Sequence, residues 1–332
     1  MVDVRAFVCP VDHALISFED LSCLSCHTEL VYDRAERRME PAANGAVCIN
    51  REQISCNWRS TGGLCGACAT TRVRPNDADA AGVAAWTLTE AAKRRLFYQL
   101  DDLGLPTDAV VFDLLSSREE SVTTGHADGV VTIDMAEGDD VHRESVRIGL
   151  GESYRTVLGH LRHEIGHYYW QVLVDGGPWQ APFRRLFGDE REDYAKALEQ
   201  HYAAPDDGSW RGQYLSRYAA SHPWEDWAEC FAHLLLISDT VQTAAAWQLT
   251  VGGPVTQPWV NDLASLSSYP VDRPLEFDAL VATWLPLSYT LNAVERSLGQ
   301  EDAYPFVLSA PVLSKVRFVA QVVAQGSVEA AA

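Results

Sequence analysis

Lysine is nearly absent from this chain. Lys93, Lys196 and Lys315 are the only three among 26 basic residues, which face 46 acidic ones for a formal net charge of −20. A surface that acidic repels phosphate backbones and anionic headgroups at long range, which disfavours a general nucleic-acid or membrane-surface binder. No apolar run reaches the roughly 18 residues that a membrane span requires. The opening Met1–Cys9 has no basic stretch followed by an apolar one, so the expected address is the cytoplasm. Cysteine is scarce beyond Cys68: Cys230 stands alone, whereas seven of the eight lie between Cys9 and Cys68. That clustering, with no export signal, argues against the disulfide framework of a small secreted module. What is present is ample apolar chain: 332 residues, 47% hydrophobic, enough for about two domains with a sizeable core.

The clustered cysteines include two Cys-x-x-Cys pairs, Cys23/Cys26 and Cys65/Cys68. Such a pair places two thiolates on one side of a tight turn, which suits a tetrahedral zinc ion. Cys48 and Cys56 complement the second pair, so Cys48, Cys56, Cys65 and Cys68 are expected to form a four-thiolate structural site. Cys9 begins the partner of the first pair in Cys9-Pro-Val-Asp12-His13, where no second cysteine follows. His13 or Asp12 must complete that set with Cys9, Cys23 and Cys26. Imidazole is the commoner structural ligand beside thiolates, so His13 is expected.

Residues 1–75 therefore read as a small zinc-ribbon domain that relies on metal for its folding free energy. They carry eight arginines against nine acidic residues, so the charge imbalance belongs to the rest of the chain. The arginines between Arg34 and Arg74 read as solvated surface rather than a nucleic-acid patch; docking of a protein partner is the other use of a ribbon. A polar, small-residue stretch over 76–82 reads as a linker. Residues 83–325 then form the main domain, an α/β lobe to about 177 followed by a helical lobe. Within it, Thr89–Leu100 reads as a helix capped by its threonine, and Val110–Leu115 and Gly129–Met135 as strands.

The stretch Arg155–Trp170 contains His163-Glu164-Ile165-Gly166-His167. On a helix, residues four apart share a face one turn apart, so both imidazoles can hold one zinc ion while the glutamate between them faces the attacking water. Apolar residues at helical spacing from Val157 to Leu173 support the helix, and Asp175-Gly-Gly-Pro178 ends it. Two histidines leave one protein ligand to find. The best source is Ser221-His-Pro-Trp-Glu225-Asp-Trp-Ala-Glu229, in which Pro223 suits a first helical turn and Ser221 a cap. Glu225 and Glu229 again share one face, so one can ligate zinc while the other receives the second N–H of a zinc-bound imidazole. His233, a turn further on, reads as a packed or hydrogen-bonding histidine.

These motifs resemble the gluzincin branch of zinc metallopeptidases. More closely, the chain is similar to the bacterial zinc-binding metallopeptidases that carry an N-terminal zinc ribbon. The resemblance rests on Cys65–Cys68, Ala92–Tyr98, Gly125–Gly129, Tyr154–His160, His163–Trp170, Phe187–Glu190 and His222–Glu229, and continues through Tyr304–Phe306. One departure is visible, Cys9-Pro-Val-Asp12 in place of the ribbon's first Cys-x-x-Cys. The resemblance implies an α+β, mostly helical zincin-like domain behind the ribbon. It implies Glu225 as third zinc ligand, with Asp226 as the alternative, and Glu229 as the support of a zinc-bound histidine. It also implies one catalytic zinc and up to two structural ones, with a peptide or protein as substrate. Glu164 is then the general base that takes the water proton and passes it to the leaving amine. The offset of Tyr218 from Glu225 is similar to that of the oxyanion tyrosine in lethal-factor-type gluzincins, with Tyr214, Tyr202 and His222 as competitors. By zincin analogy the strand Val130–Met135 lines the cleft and pairs with the substrate. The alternative function is a non-hydrolytic zinc-binding regulatory or docking module. Glu164 favours hydrolysis, because zinc binding alone does not need that carboxylate.

Overall fold

The computed structural model of the chain describes residues 6–42, 46–116, 122, 125–127, 129–138, 155–251 and 276–330. Asp128 and Tyr154, from the stretches that carry the resemblance, lie outside the described residues. Helix and sheet are mixed, and the chain divides into two compact units. The first takes the chain to Asp101 together with Thr107–Glu144 and Thr156–Leu161; the second takes the remainder.

In the first unit, β1 (Phe7–Val8) pairs antiparallel with β2 (Leu15–Ile16), and β3 (Leu30–Asp33) with β4 (Arg38–Pro41). Strands this short bury little by themselves. Helix α1 (Arg51–Ile54) is a single turn, and β5 (Thr71–Val73) leads to α2 (Ala80–Asp102). Aromatic packing supplies the missing core. Phe7, Phe18 and Tyr32 surround Tyr98 of α2 with ring centroids 5.2–6.0 Å from it, and Trp58 lies 5.4 Å from Tyr32. Such contacts add to area burial by about 0.5–1.5 kcal/mol each.

Helix α2 begins nine residues before the expected Thr89 and takes up 80–82 of the anticipated linker. Two physical reasons account for this. Ala80, Ala81, Ala84 and Ala85 carry the highest helix propensity. The Thr89 hydroxyl donates to the Ala85 carbonyl 3.0 Å away, one turn back, rather than capping a helix start.

Strands β6 (Val111–Leu115), β7 (Gly125–Ala127) and β8 (Val130–Asp134) join β5 in a four-stranded sheet of order β5-β6-β8-β7. β5, β6 and β8 run parallel and β7 is antiparallel. The alternation of β8 buries Val131 and Ile133. β8 is hydrogen-bonded to β6 on one side and to β7 on the other, from Val130 to Thr132. This corrects the expectation that β8 is the substrate-pairing edge, since a strand paired on both sides there has no free ladder to offer. Among the described strands, the edge on that side is β7.

The second unit is helical. Helix α3 (Val157–Leu173) enters it from Arg162 onward, followed by α4 (Gln180–Phe187), α5 (Tyr194–Ala203), α6 (Pro223–Ala246), α7 (Phe277–Ser297) and α8 (Ala310–Ala330). α6 is the hub, packed against α4, α7 and α8. Its buried Trp227 and Phe231 meet Phe183 and Phe187 of α4, Phe318 of α8 and Tyr169 of α3, the last stacked on Phe231 at 5.4 Å. The Arg162–Asp239 ion pair, 2.6 Å, joins α3 to α6 across a mostly buried contact.

Candidate metal centres

The close crossing of α3 and α6 builds the central site. Gly166 makes it possible: a Cβ there would lie 3.1 Å from Ala228 Cα and 3.3 Å from its carbonyl oxygen. Backbone cannot yield as a flexible side chain does, so a bare α-carbon lets the helices approach. Trp227 fixes the register by donating its indole N–H to the Gly166 carbonyl at 2.9 Å. α6 starts at Pro223, as expected, but its cap is His222 rather than Ser221. His222 Nδ1 accepts from the Trp224 N–H at 3.2 Å, while Ser221 ends the preceding 3-10 turn, Tyr218–Ser221. That cap places Glu225 in the first turn, against the motif face of α3.

His163, His167 and Glu225 converge with their ligand atoms all within 4.8 Å of one another. Glu225 Oε2 lies 2.9 Å from His163 Nε2 and 3.4 Å from His167 Nε2. Zinc–ligand bonds of about 2.0–2.1 Å imply tetrahedral edges of about 3.3–3.4 Å. Two imidazoles and a carboxylate are also the donor set that zinc takes when it keeps a position open. The residues fit the ion. Burial would lift the Glu225 carboxyl, but the His167 and His163 imidazoles outweigh it and hold it well below the ordinary carboxylate range.

Glu229 occupies the other side of His163, its Oε1 3.3 Å from Nδ1. His163 thus presents Nε2 to the centre and Nδ1 to Glu229, the orientation expected of a metal-bound imidazole. Beyond Glu229 the chain of polar contacts continues to His233 Nε2 at 3.6 Å, and from His233 Nδ1 to the Tyr304 hydroxyl at 2.8 Å. His233 is therefore a hydrogen-bonded histidine, buried against Tyr304 and Phe306. Asp226, the alternative ligand, points elsewhere: its Oδ2 pairs with Lys315 Nζ at 2.6 Å. Burial dominates over that cation and pushes the Asp226 carboxyl up to about 7.

Glu164 is buried, at 5% exposure. Its negative charge adds a small upward push to the Tyr194 and Tyr218 phenols, after burial and the charge of Glu225. The Tyr218 ring centroid is 5.9 Å from that of His163. Burial first, then the negative charge of Glu225, pushes the Tyr218 phenol far above its ordinary value, so it stays a donor. Of the competitors, His222 is engaged as the helix cap, and Tyr214 lies under the Lys315 ammonium, 3.9 Å from the ring centroid. Sequence reasoning missed Tyr194, whose hydroxyl donates to Glu225 Oε1 at 2.8 Å. The available signal was its place at the start of α5, directly after the capping Asp193.

The cysteines form two further groups in the first unit, and none of the eight is in a disulfide. Cys48, Cys56, Cys65 and Cys68 come together, all buried, as expected. The Cys56–Cys65 and Cys56–Cys68 sulfur separations are both 3.7 Å. Zn–S bonds of about 2.3 Å imply edges of about 3.8 Å, so the four thiolates fit zinc. Glu90 Oε2 lies 4.0 Å from Cys68 Sγ, and its other oxygen pairs with the wholly buried Lys93 at 2.8 Å. The second group is Cys9, Asp12, Cys23 and Cys26. His13 is not in it. This corrects the expected ligand: His13 is exposed and sits beyond the turn, at φ +60°, while Asp12 faces the sulfurs.

Comparison with known proteins agrees with this donor chemistry. The sequence model of a family described as "Putative zinc-binding metallo-peptidase" matches residues 82–322. An uncharacterised protein of Mycobacterium bovis is 41% identical over 338 aligned residues, covering 96% of this chain and 95% of its own length. Two uncharacterised proteins of Mycobacterium tuberculosis strains match with the same identity and coverage. No solved structure matches the chain. Among the described residues, no helix is long and apolar enough to cross a membrane.

Proposed function

Because this chain belongs to the zinc-binding metallo-peptidase family, we propose that it hydrolyses peptide bonds on a zincin-like, gluzincin-type scaffold, with catalytic zinc held by His163, His167 and Glu225. The observation that carries the reading is the convergence of those three donors beside a buried glutamate, Glu164, that none of them needs for binding. Zinc, when bound, supplies Lewis-acid polarisation of the scissile carbonyl and acidifies a water molecule. Glu164 removes the proton of the attacking water and delivers it to the leaving nitrogen, a general-base contribution of about 10²–10⁴-fold. Tyr218, kept protonated by burial, donates to the oxyanion as it develops. Tyr194 and Glu229 hold Glu225 and His163 in their ligating orientations, and His233 with Tyr304 steadies Glu229.

The substrate class is a peptide or protein, and neither nucleic acid nor membrane is a partner in this reading. The proposed address is the cytoplasm. The cysteine-rich segment is proposed as a zinc ribbon that docks a protein partner. Terminal-peptide profiling of cells carrying wild type or Glu164→Gln tests the function. New termini confined to wild type are expected; identical profiles would favour a non-hydrolytic zinc module instead.

A further inference from the structure

Two turns in the first unit have the same construction. In Cys9–His13, the His13 N–H donates to the Cys9 carbonyl at 3.0 Å and His13 takes φ +60°. In Cys23–His27, the His27 N–H donates to the Cys23 carbonyl at 2.9 Å and His27 takes φ +58°. Each turn thus opens on a cysteine and closes on a left-handed histidine. The ligating place at the fourth position is Cys26 in one and Asp12 in the other. His13 corresponds to His27, one residue past that position, which is why its ring stays outside the cluster.

The side chains bear the equivalence out. Cys9 Sγ lies 3.6 Å from Cys26 Sγ, and Asp12 Oδ1 lies 3.5 Å from Cys23 Sγ. Zinc arms of about 2.3 Å to sulfur and 2.0–2.2 Å to oxygen imply edges of about 3.8 Å between sulfurs and about 3.5–3.7 Å between sulfur and oxygen. The Val11 N–H reaches Cys9 Sγ at 3.5 Å and Thr28 Oγ1 lies 3.1 Å from Cys26 Sγ, contacts that stabilise thiolates. Asp12 also accepts from the Ala14 N–H at 3.1 Å, which pins its carboxylate toward the sulfurs.

We propose that Cys9, Asp12, Cys23 and Cys26 form a second structural zinc site, with three thiolates and one carboxylate, whose metal exchanges faster than that of the buried four-thiolate site. Two differences make it labile. A carboxylate is a harder donor than a thiolate and holds zinc less firmly among sulfurs. Asp12 is exposed and Cys26 half-buried, so water reaches the coordination shell, whereas Cys48, Cys56, Cys65 and Cys68 are all buried at 2% exposure or less. The site uses no residue of the proposed catalytic centre, so its test stands apart from peptidase activity.

The test is zinc stoichiometry by native mass spectrometry on the full chain, with release of zinc to a chromogenic chelator followed in time. Wild type is expected to release one structural ion at least tenfold faster than the other. Asp12→Ala should lose one zinc, as should Cys23→Ser, while His13→Ala keeps the full count. Asp12→Cys should retain the ion and slow its release at least tenfold. Because it preserves a ligand, this variant decides the matter even if Asp12→Ala folds poorly. Full zinc content with unchanged release in Asp12→Ala, loss of zinc in His13→Ala, or unchanged release in Asp12→Cys would each overturn the assignment.

Discussion

Tyr194 and Glu225 are joined by a 2.8 Å hydrogen bond from phenol to carboxylate Oε1, leaving Oε2 to face the two imidazoles. The tyrosine therefore selects which oxygen of Glu225 is free to ligate. Tyr194→Phe removes that constraint without removing a ligand, and should weaken the central zinc about 10-fold, the lower end for groups that orient a ligand. Tyr218→Phe should leave zinc affinity unchanged and lower turnover by about 10²-fold, the loss of one oxyanion donor. Chelator competition and peptide turnover, measured on both variants, separate the two roles.

The three acidic residues of the first α6 turns should behave differently. Glu225→Ala should strip the central metal. Glu229→Ala should weaken it about 10–100-fold through His163. Asp226→Asn should retain it, because Asp226 faces Lys315. Metal loss in Asp226→Asn with retention in Glu225→Ala would show the wrong carboxylate to be the ligand.

Much of this centre was legible in the sequence because its geometry is local. His163 and His167, and likewise Glu225 and Glu229, owe their shared faces to helical spacing alone. Tyr194 was not legible, because its bond to Glu225 depends on how α5 meets α6, 31 residues away. Asp12 was weighed but ranked behind His13: chemical preference for imidazole pointed to His13, but turn geometry brings Asp12 to the sulfurs. The start of α2 was misread because an alanine run outweighed the local signal of a cap, and the edge role of β8 because it came from fold analogy alone, whereas β7 pairs with that side of the strand. The four-thiolate site followed directly from cysteine spacing.

Gly166 should not tolerate a methyl group. In a helix interior, Gly→Ala ordinarily stabilises by about 1 kcal/mol. Here the added Cβ meets the Ala228 backbone at 3.1 Å, and forcing the helices apart costs about 1–3 kcal/mol. Gly166→Ala should therefore give no gain in Tm, or a fall of a few degrees, together with weaker zinc binding. A raised Tm with unchanged affinity would refute the close crossing.

Metal binding should release protons. In the metal-free chain burial disfavours the His163 cation, but hydrogen bonds to Glu225 and Glu229 outweigh it and raise the imidazole well above its ordinary value. Below that raised value, zinc must displace a proton, so affinity falls by about tenfold per pH unit as pH drops. Calorimetric titration of zinc in buffers of different ionisation heat checks the release. In Glu229→Ala, which removes one of the two carboxylates, the release at neutral pH should shrink.

In the proposed mechanism Glu164 moves a proton and does not hold the metal. The direct measurement pairs zinc content with cleavage of a proteome-derived peptide library, for purified wild type and Glu164→Gln. Glutamine keeps the size and a hydrogen-bonding head but cannot accept the proton. Equal zinc is expected in both proteins, with new peptide termini produced by wild type and reduced at least 100-fold in the variant, in line with a general-base role. Equal cleavage by the two proteins, or loss of the central zinc from Glu164→Gln, would contradict it.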